Sequence, residues 1–218
     1  MSVWAVLAAA GRGERLGDDR PKAFARLGDL PLVAEPLRRL EESEWIDGLV
    51  VAAPPGWEEP CIVLAEELGA GKVSSVVTGG DSRAASVRTA LAEVPDGAAV
   101  VLVHDAARPL VSDEVIGRVL APLSEGFEGA VPVLPLADTV KRVRNDEVVE
   151  TLDRDGLVVS QTPQAFLADA LRHAAAGEGT DCASLVEAQG GRIKAVPGDP
   201  RLLKVTSQDD LDLVASWL

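Results

Sequence analysis

Five short runs of β-branched and other apolar residues alternate along the chain with segments of helical periodicity. The runs read VWAVLA, GLVVAA, KVSSVV, AAVVLV and AVPVL. Apolar side chains fill nearly every position in them, which is typical of strands buried on both faces, as in a parallel sheet. We therefore predict an α/β fold with a Rossmann-like, mostly parallel twisted sheet flanked by helices.

Three of the intervening segments begin at residues that favour helix N-termini. Residues 82–94 place their apolar side chains on one helical stripe, and Asp81 or Ser82 precedes that stripe. Ser112 and Ser207 stand in the same position before two later helical patterns. The resulting order of strands and helices is the βαβ alternation expected of such a sheet.

The length and composition favour one globular domain spanning residues 1–218, with 47% hydrophobic and 26% charged residues. No apolar run reaches the roughly 18 residues that a membrane span requires, so we expect no membrane partner. Cys61 and Cys182 share no short spacing with each other or with His104 and His173, which indicates neither a zinc site nor a disulfide framework. A reducing, cytoplasmic location is the expectation that follows.

One segment, residues 138–156, departs from the alternation. It holds two strand-like runs around Asn145 and Asp146, a turn signal, and predicts a protruding β-hairpin arm. Its faces are mostly charged, and an isolated hairpin is marginally stable in water. We expect this arm to pack on a second subunit in a homodimer; an arm that packs on its own domain or moves freely is the alternative.

The loop after the first strand concentrates positive charge in an acidic chain. It reads LAAAGRGERLGDDRPK and holds four cations within eleven residues, although the formal net charge of the chain is −14. That overall charge argues against a nucleic-acid surface, which needs clustered Lys and Arg. An anionic ligand must therefore meet a local basic site.

The glycine spacing in this loop matches neither the dinucleotide fingerprint nor the P-loop, and no Lys-Ser/Thr pair follows. Small residues at its start let backbone amides approach a base or a phosphate closely. Arg15 and Lys22 can then neutralise a triphosphate. An ordinary solvated loop between a strand and a helix is the alternative.

Two further stretches lie where strands are predicted to end. GGDSRAAS offers Asp81, Ser82 and Ser86, which could read the edge of a base. VHDAARP places Asp105 where its carboxylate could hold Mg²⁺ together with substrate phosphates. Each carboxylate could equally be a helix cap or a turn former.

These stretches, together with DTVKRV, LDRDGL, QTPQAF and IKAVPGDPRLLKVTSQDDL, resemble the motif series of the 2-C-methyl-D-erythritol 4-phosphate cytidylyltransferase family, in order and across nearly the whole chain. The resemblance implies transfer of CMP from CTP to that polyol phosphate, with release of diphosphate, in non-mevalonate isoprenoid synthesis. Ribitol-5-phosphate cytidylyltransferase is the nearest alternative. A noncatalytic nucleotide-binding module is the alternative of another class.

The resemblance also assigns site residues. It implies that the catalytic cations are Arg15, Lys22 and Lys204, and that Asp105 holds Mg²⁺ or another divalent cation. The positions that match CTP contacts are Ala9, Ala10, Gly11, Gly13, Gly80, Asp81, Ser86 and Ala106. The positions that match acceptor contacts are Arg108, Thr139, Arg154 and Thr162, of which Thr139 and Arg154 lie on the arm.

Several of these residues have structural alternatives. Arg154 could be a solvated charge, Arg108 could pair with a nearby carboxylate, and His104 suits packing or hydrogen bonding better than catalysis. The chain departs from the common family pattern at Ala23, where many members have Gln, and at Cys182, where many have Glu. Neither departure removes a charge assigned to catalysis.

Overall fold

A sheet of eight strands forms the centre of the computed structural model, which describes residues 2–11, 20–177, 179 and 181–218. The strands of this sheet are β1 (Val3–Ala8), β4 (Gly48–Ala53), β5 (Val73–Thr78), β6 (Val100–Asp105), β7 (Gly129–Pro135), β10 (Val158–Ser160), β11 (Gln164–Leu167) and β12 (Ile193–Pro197). Two shorter pairs complete the strands: β2 (Arg26–Leu27) with β3 (Leu30–Pro31), and β8 (Lys141–Arg144) with β9 (Glu147–Thr151).

The sheet is mixed but mostly parallel, which confirms the predicted fold class. Strand β1 runs parallel to both β4 and β6, and β5 continues the parallel part at one edge. Strand β11 lies antiparallel between β6 and β7, while β7 also pairs with β10 antiparallel and with β12 parallel. Strand β10 precedes the QTPQAF motif and β11 contains its last three residues; neither was predicted, because each is short and Pro163 lies between them.

Seven α-helices occur in the described part of the chain. They are α1 (Ala34–Glu42), α2 (Glu58–Glu67), α3 (Arg83–Leu91), α4 (Asp113–Leu120), α5 (Ala168–Ala174), α6 (Cys182–Ala188) and α7 (Gln208–Ala215). The predicted caps of three helices are confirmed, since the side chains of Ser82, Ser112 and Ser207 accept backbone hydrogen bonds at the starts of α3, α4 and α7. None of the helices in these ranges is long and apolar enough to cross a membrane.

Helices cover both faces of the sheet, and the strand residues alternate between the two resulting cores. In β1, Ala5 and Leu7 belong to one buried cluster and Val6 belongs to the other. Strands β4 and β6 are buried along their whole length, as continuous apolar runs predict, whereas the edge strand β5 is only partly buried. Because β1, β4 and β6 are packed between these two cores, the positions at which the three strands end are fixed.

The loops that follow β1, β5 and β6 meet at the carboxyl edge of the sheet. Backbone hydrogen bonds join Ala9 to Ala52, Gly79 to Ala53 and Ala106 to Ala8. A Cβ atom on Gly79 would lie 2.1 Å from the Cβ of Ala10, so only glycine permits this approach. Such an edge is where ligands bind in open α/β sheets.

The strands β8 and β9 form the predicted hairpin arm. Asn145 (φ 49°) and Asp146 (φ 65°) both adopt left-handed backbone conformations at its tip, as a two-residue type I′ turn requires. Val143 and Val148 stand directly opposite each other across the two strands. Both are exposed, at 55% and 61%, so the arm presents apolar surface to solvent in the single chain.

Candidate active site

A cavity of about 240 Å³ opens at the carboxyl edge of the parallel strands. Segments after β1, β5 and β6 line it, together with a residue from the far end of the chain. Ten of the predicted site residues lie in its wall: Ala9, Ala10, Gly11, Lys22, Gly80, Asp81, Ser86, Asp105, Ala106 and Lys204. Sequence motifs far apart in the chain therefore converge on one cavity.

The other predicted site residues lie elsewhere. Gly13 and Arg15 fall outside the described residues. Arg108 and Thr162 are not in the cavity wall and lie behind it, next to Asp105. Thr139 and Arg154 lie at the base of the arm, just outside β8 and β9; both are exposed and neither contributes to the cavity wall of its own chain. Arg154 donates a hydrogen bond to the carbonyl oxygen of Ala137.

Asp105 is the electrostatic centre of the cavity. One carboxylate oxygen, Oδ1, accepts a hydrogen bond of 2.8 Å from Arg83 Nε, and the other, Oδ2, accepts one of 2.7 Å from Lys204 Nζ. Burial by itself favours the neutral acid, but the charges and hydrogen bonds of Arg83 and Lys204 outweigh it. The pKa of Asp105 is held well below its usual range, so the carboxylate is ionised at neutral pH.

Arg83 is the functional candidate that sequence reasoning missed. It is the first residue of α3, and its Nη1 also lies 3.6 Å from the sulfur of Cys182. Burial favours its neutral form, yet the Asp105 carboxylate raises the pKa of Arg83 above its ordinary value. The only signal in the sequence was its place inside GGDSRAAS, one turn before Ser86.

A buried series of hydrogen bonds holds the backbone of Asp105. The amide N–H of Asp105 donates to Thr162 Oγ1 at 3.0 Å, and Thr162 Oγ1 lies 3.2 Å from His104 Nδ1. His104 Nε2 lies 2.9 Å from the carbonyl oxygen of Arg108, which can only accept. His104 therefore carries its proton on Nε2, and the Thr162 hydroxyl donates to Nδ1. Burial lowers the pKa of His104 to about 4, so the ring is neutral at neutral pH.

The Arg108 side chain ties the C-terminal part of the chain to the cavity. Its Nη1 donates a hydrogen bond of 2.6 Å to the carbonyl oxygen of Leu202, two residues before Lys204. The amide of Val205, one residue after Lys204, donates to the carbonyl of Ala107. These bonds on either side of Lys204 account for its position beside Asp105.

Ser86 holds the loop after β5, which forms another part of the cavity wall. Its hydroxyl oxygen accepts a hydrogen bond of 3.1 Å from the amide of Gly80 and donates one of 2.9 Å to the carbonyl of Ser82. A Cβ atom on Gly80 would lie 2.6 Å from the Cβ of Ala85. This loop is thus closely packed, and its small residues line the cavity together with Ala9, Ala10 and Gly11.

The ionisable residues of the wall favour an anion. Lys22, Arg83 and Lys204 line the cavity with two acids, Asp81 and Asp105. Asp105 is already paired with two of these cations, while the chain as a whole is strongly acidic. The cavity therefore combines a local excess of cations with backbone groups and small side chains, which suits a nucleotide with its phosphates.

Comparison with known proteins places this geometry in context. The family model described as 2-C-methyl-D-erythritol 4-phosphate cytidylyltransferase matches residues 3–218. A curated protein of that name from Frankia casuarinae is 46% identical and covers 99% of this chain and 81% of its own length. Another from Saccharopolyspora erythraea is 45% identical over the full length of both chains.

Solved structures agree with the sequence comparisons. A crystal structure of 4-diphosphocytidyl-2C-methyl-D-erythritol synthase superposes with a TM-score of 0.85 at 31% identity, covering 99% of this chain and 97% of that one. The 2-C-methyl-D-erythritol 4-phosphate cytidylyltransferase of Thermus thermophilus gives a TM-score of 0.80 at 33% identity, covering 97% and 96%.

Proposed function

Because this chain belongs to the 2-C-methyl-D-erythritol 4-phosphate cytidylyltransferase family, we propose how its own residues carry out the reaction of that family. The chain is a cytidylyltransferase that transfers CMP from CTP to 2-C-methyl-D-erythritol 4-phosphate. A phosphate oxygen of the acceptor forms a bond to the α-phosphorus of CTP. The bond from that phosphorus to the bridging oxygen breaks, and diphosphate leaves with the electron pair.

The nucleophile needs no general base from the protein. A phosphate monoester has a second pKa of about 6 and is largely ionised at neutral pH. The barrier lies instead in bringing two polyanions together in line, so positioning and charge neutralisation supply the catalysis. The buried, neutral His104 fits this requirement, because its ring nitrogens are engaged with Thr162 and Arg108 and do not face the cavity.

The convergence of Lys22, Arg83 and Lys204 around one cavity is the observation that carries the proposal. Lys22 and Lys204 neutralise the CTP phosphates and the charge that develops at the α-phosphorus. Arg15 is assigned the same role through the family resemblance. At about 4 Å and an effective dielectric constant near 20, one such contact is worth on the order of 4 kcal/mol before desolvation.

We assign the cytosine and ribose to the part of the cavity lined by Ala9–Gly11 and by the loop after β5. The side chains of Ala9, Ala10 and Gly80 are small or absent there, so a base can approach the backbone closely, and carbonyl oxygens can accept further hydrogen bonds. Hydrogen-bond acceptors in this wall distinguish the N4 amino group of cytosine from the O4 carbonyl of uracil. Asp81 and Ser86 are the polar side chains assigned to the same task.

We assign a divalent cation, Mg²⁺ in the first instance, to the same cavity. In the described ranges, no group of three or more His, Cys, Asp or Glu side chains could hold a metal ion. Mg²⁺ on nucleotides is commonly held by one or two carboxylates with the phosphates, and the Asp105 carboxylate in the cavity wall fits that donor set. When bound, the ion neutralises phosphate charge.

The acceptor site is proposed to need a second copy of the chain. The exposed valine pair of the arm, and the marginal stability of an isolated hairpin, support packing of the arm on a partner. Thr139 and Arg154, at the base of the arm, would then contact the acceptor bound to the partner, while Arg108 and Thr162 support the acceptor side in their own chain. A cytoplasmic location completes the proposal, supported by two free, buried cysteines.

Diphosphate release tests the proposal directly. The purified protein is incubated with CTP and Mg²⁺ and with either 2-C-methyl-D-erythritol 4-phosphate or ribitol 5-phosphate. We expect release with the first acceptor at a kcat/KM well above that with the second. A preference for ribitol 5-phosphate would change the substrate assignment. Tight CTP binding without diphosphate release for either acceptor would support a noncatalytic module.

A further inference from the structure

The segment that carries Lys204 has little regular structure of its own. Residues 198–205, here the lysine segment, follow β12 and contain a single short 3₁₀ turn, Pro200–Leu202. Side-chain and backbone bonds from Arg108 and Ala107 fasten its second half, as described above. Its first half is fastened by a residue that belongs to neither the cavity wall nor the predicted site.

That residue is Gln161, the first residue of the QTPQ motif. Its carboxamide forms two hydrogen bonds with the backbone of Asp199: Nε2 donates to the carbonyl oxygen at 2.9 Å, and Oε1 accepts from the amide N–H at 3.0 Å. The two partners fix the orientation of the amide, because a carbonyl only accepts and an N–H only donates. Gln161 is 3% exposed, so these bonds are shielded from water.

Gln161 is itself held firmly by the sheet. Its backbone amide donates to the carbonyl of Pro132, and the amide of Gly198 donates to the carbonyl of Val133. A Cβ atom on Gly198 would lie 2.3 Å from Gln161 Oε1 and 2.9 Å from the Val133 carbonyl oxygen. Glycine at 198 is thus what allows the lysine segment to approach this carboxamide.

We propose that Gln161 is a positioning residue for Lys204. Its carboxamide sets where the lysine segment leaves the sheet, and Arg108 and Ala107 set where it ends, so that Lys204 reaches Asp105. The inference rests on the catalytic role proposed for Lys204. A misplacement of about 1 Å in such a group can lower a rate about 100-fold.

Two substitutions of Gln161 test this role. Gln161→Ala removes both hydrogen bonds. Gln161→Glu keeps an acceptor for the Asp199 amide but sets a carboxylate against the Asp199 carbonyl. We expect each to lower kcat about 10- to 100-fold in the diphosphate-release assay. Gln208→Ala is the matched control, because it removes an exposed carboxamide that donates to Asp212 within α7, and it should leave kcat unchanged.

Hydrogen exchange on the full chain provides the structural readout. Gln161→Ala should speed amide exchange in residues 198–205 and leave exchange in β1 and β6 as in the unmodified protein. Gly198→Ala should have the same effect, by displacing the segment from the other side. Unchanged exchange in the lysine segment of both variants would overturn the inference.

A double-variant cycle separates this inference from the proposed function. If Gln161 acts through Lys204, Gln161→Ala should change kcat by no more than about twofold in a Lys204→Ala background. A weakened Lys204→Ala enzyme in which Gln161→Ala causes its full further loss would overturn the inference alone. A fully active Lys204→Ala enzyme would overturn the proposed role of Lys204, and the positioning role with it.

Discussion

Lys204 Nζ lies 2.7 Å from Asp105 Oδ2, although the two residues are 99 positions apart in the chain. Arg83 Nε binds the other oxygen of the same carboxylate at 2.8 Å. The end of a buried strand, the start of a helix and the C-terminal part of the chain thus meet on one side chain. The contacts of Asp105 with Arg83 and Lys204 therefore set the positions of these charged side chains in the cavity wall.

Asp105→Asn should reduce both stability and activity. The substitution leaves Arg83, whose side chain is 24% exposed, without its counter-charge. Loss of one member of a buried pair is strongly destabilising, and we expect the free energy of unfolding to fall by about 3 kcal/mol. Urea unfolding measures this change, and diphosphate release should show kcat/KM lower by about 100-fold or more.

A second substitution checks the cause. Adding Arg83→Met to Asp105→Asn removes the less exposed of the two cations left unpaired, so stability should return most of the way while activity stays low. A double variant that is no more stable than Asp105→Asn would show that the loss does not arise from the uncompensated guanidinium.

Lys22→Ala should lower the rate of transfer. Lys22 lines the cavity and is assigned to the phosphates, and removal of one preorganised donor costs about 3 kcal/mol of transition-state stabilisation. Steady-state kinetics with CTP as the varied substrate measures this loss. Lys194→Ala, on the exposed face of β12, removes the same charge away from the cavity and should leave turnover unchanged. Equal turnover in both variants would exclude Lys22 from the reaction.

His104 should make stability depend on pH between about 4 and 6.5. Burial lowers its pKa to about 4 in the folded chain, whereas an unfolded chain has the ordinary value near 6.5. The unfolded state therefore binds the proton first, and stability that is complete above pH 6.5 is lost as the pH falls toward 4. The loss from pH 7.5 to pH 5 should be about 2 kcal/mol.

Comparison of variants isolates that contribution. His104→Gln retains a donor and an acceptor but does not titrate, so its unfolding free energy should fall less over the same pH range. His173→Gln replaces an exposed ring and should follow the unmodified protein. Equal pH dependence in His104→Gln and the unmodified protein would contradict the burial argument.

Val148→Asp should weaken self-association. Val148 stands opposite Val143 on the arm and is 61% exposed in the single chain. If the arm packs on a second copy, the substitution buries an unpaired carboxylate and should raise the dimer dissociation constant at least about tenfold. Sedimentation measures the change, and use of the polyol phosphate should decline with it.

Val63→Asp makes the same chemical change on α2, which packs against β5 at the other edge of the sheet. It should leave the association state as it is. A dimer of unchanged affinity in Val148→Asp would argue that the arm packs elsewhere.

Much of the fold was predictable because its signals are local. The apolar runs of β1, β4 and β6 identify buried parallel strands, and Ser82, Ser112 and Ser207 mark helix starts within one turn. The hairpin followed from Asn145 and Asp146, whose left-handed conformations suit the turn. Each of these features depends on residues within about four positions of one another.

The missed features depend on contacts between distant segments. Arg83 resembles any basic residue at the start of a helix until the fold brings it to Asp105, 22 positions away. Gln161 binds the backbone of Asp199, 38 positions away. The short strands β10 and β11 are regular only because β10 pairs with β7 and β11 pairs with β6 and β7. The single-domain assignment stays a prediction, and the experiments above address the individual roles of the site residues.

The interior series from the Asp105 amide through Thr162 and His104 ends on the Arg108 carbonyl. Both of its termini are peptide groups, one a donor only and the other an acceptor only, so no proton can enter at one end and leave at the other. The series therefore holds the Asp105 backbone in place and does not conduct protons. Asp105 is thereby supported through its backbone amide but exchanges no proton through this series. That arrangement suits a reaction whose attacking oxygen is already ionised.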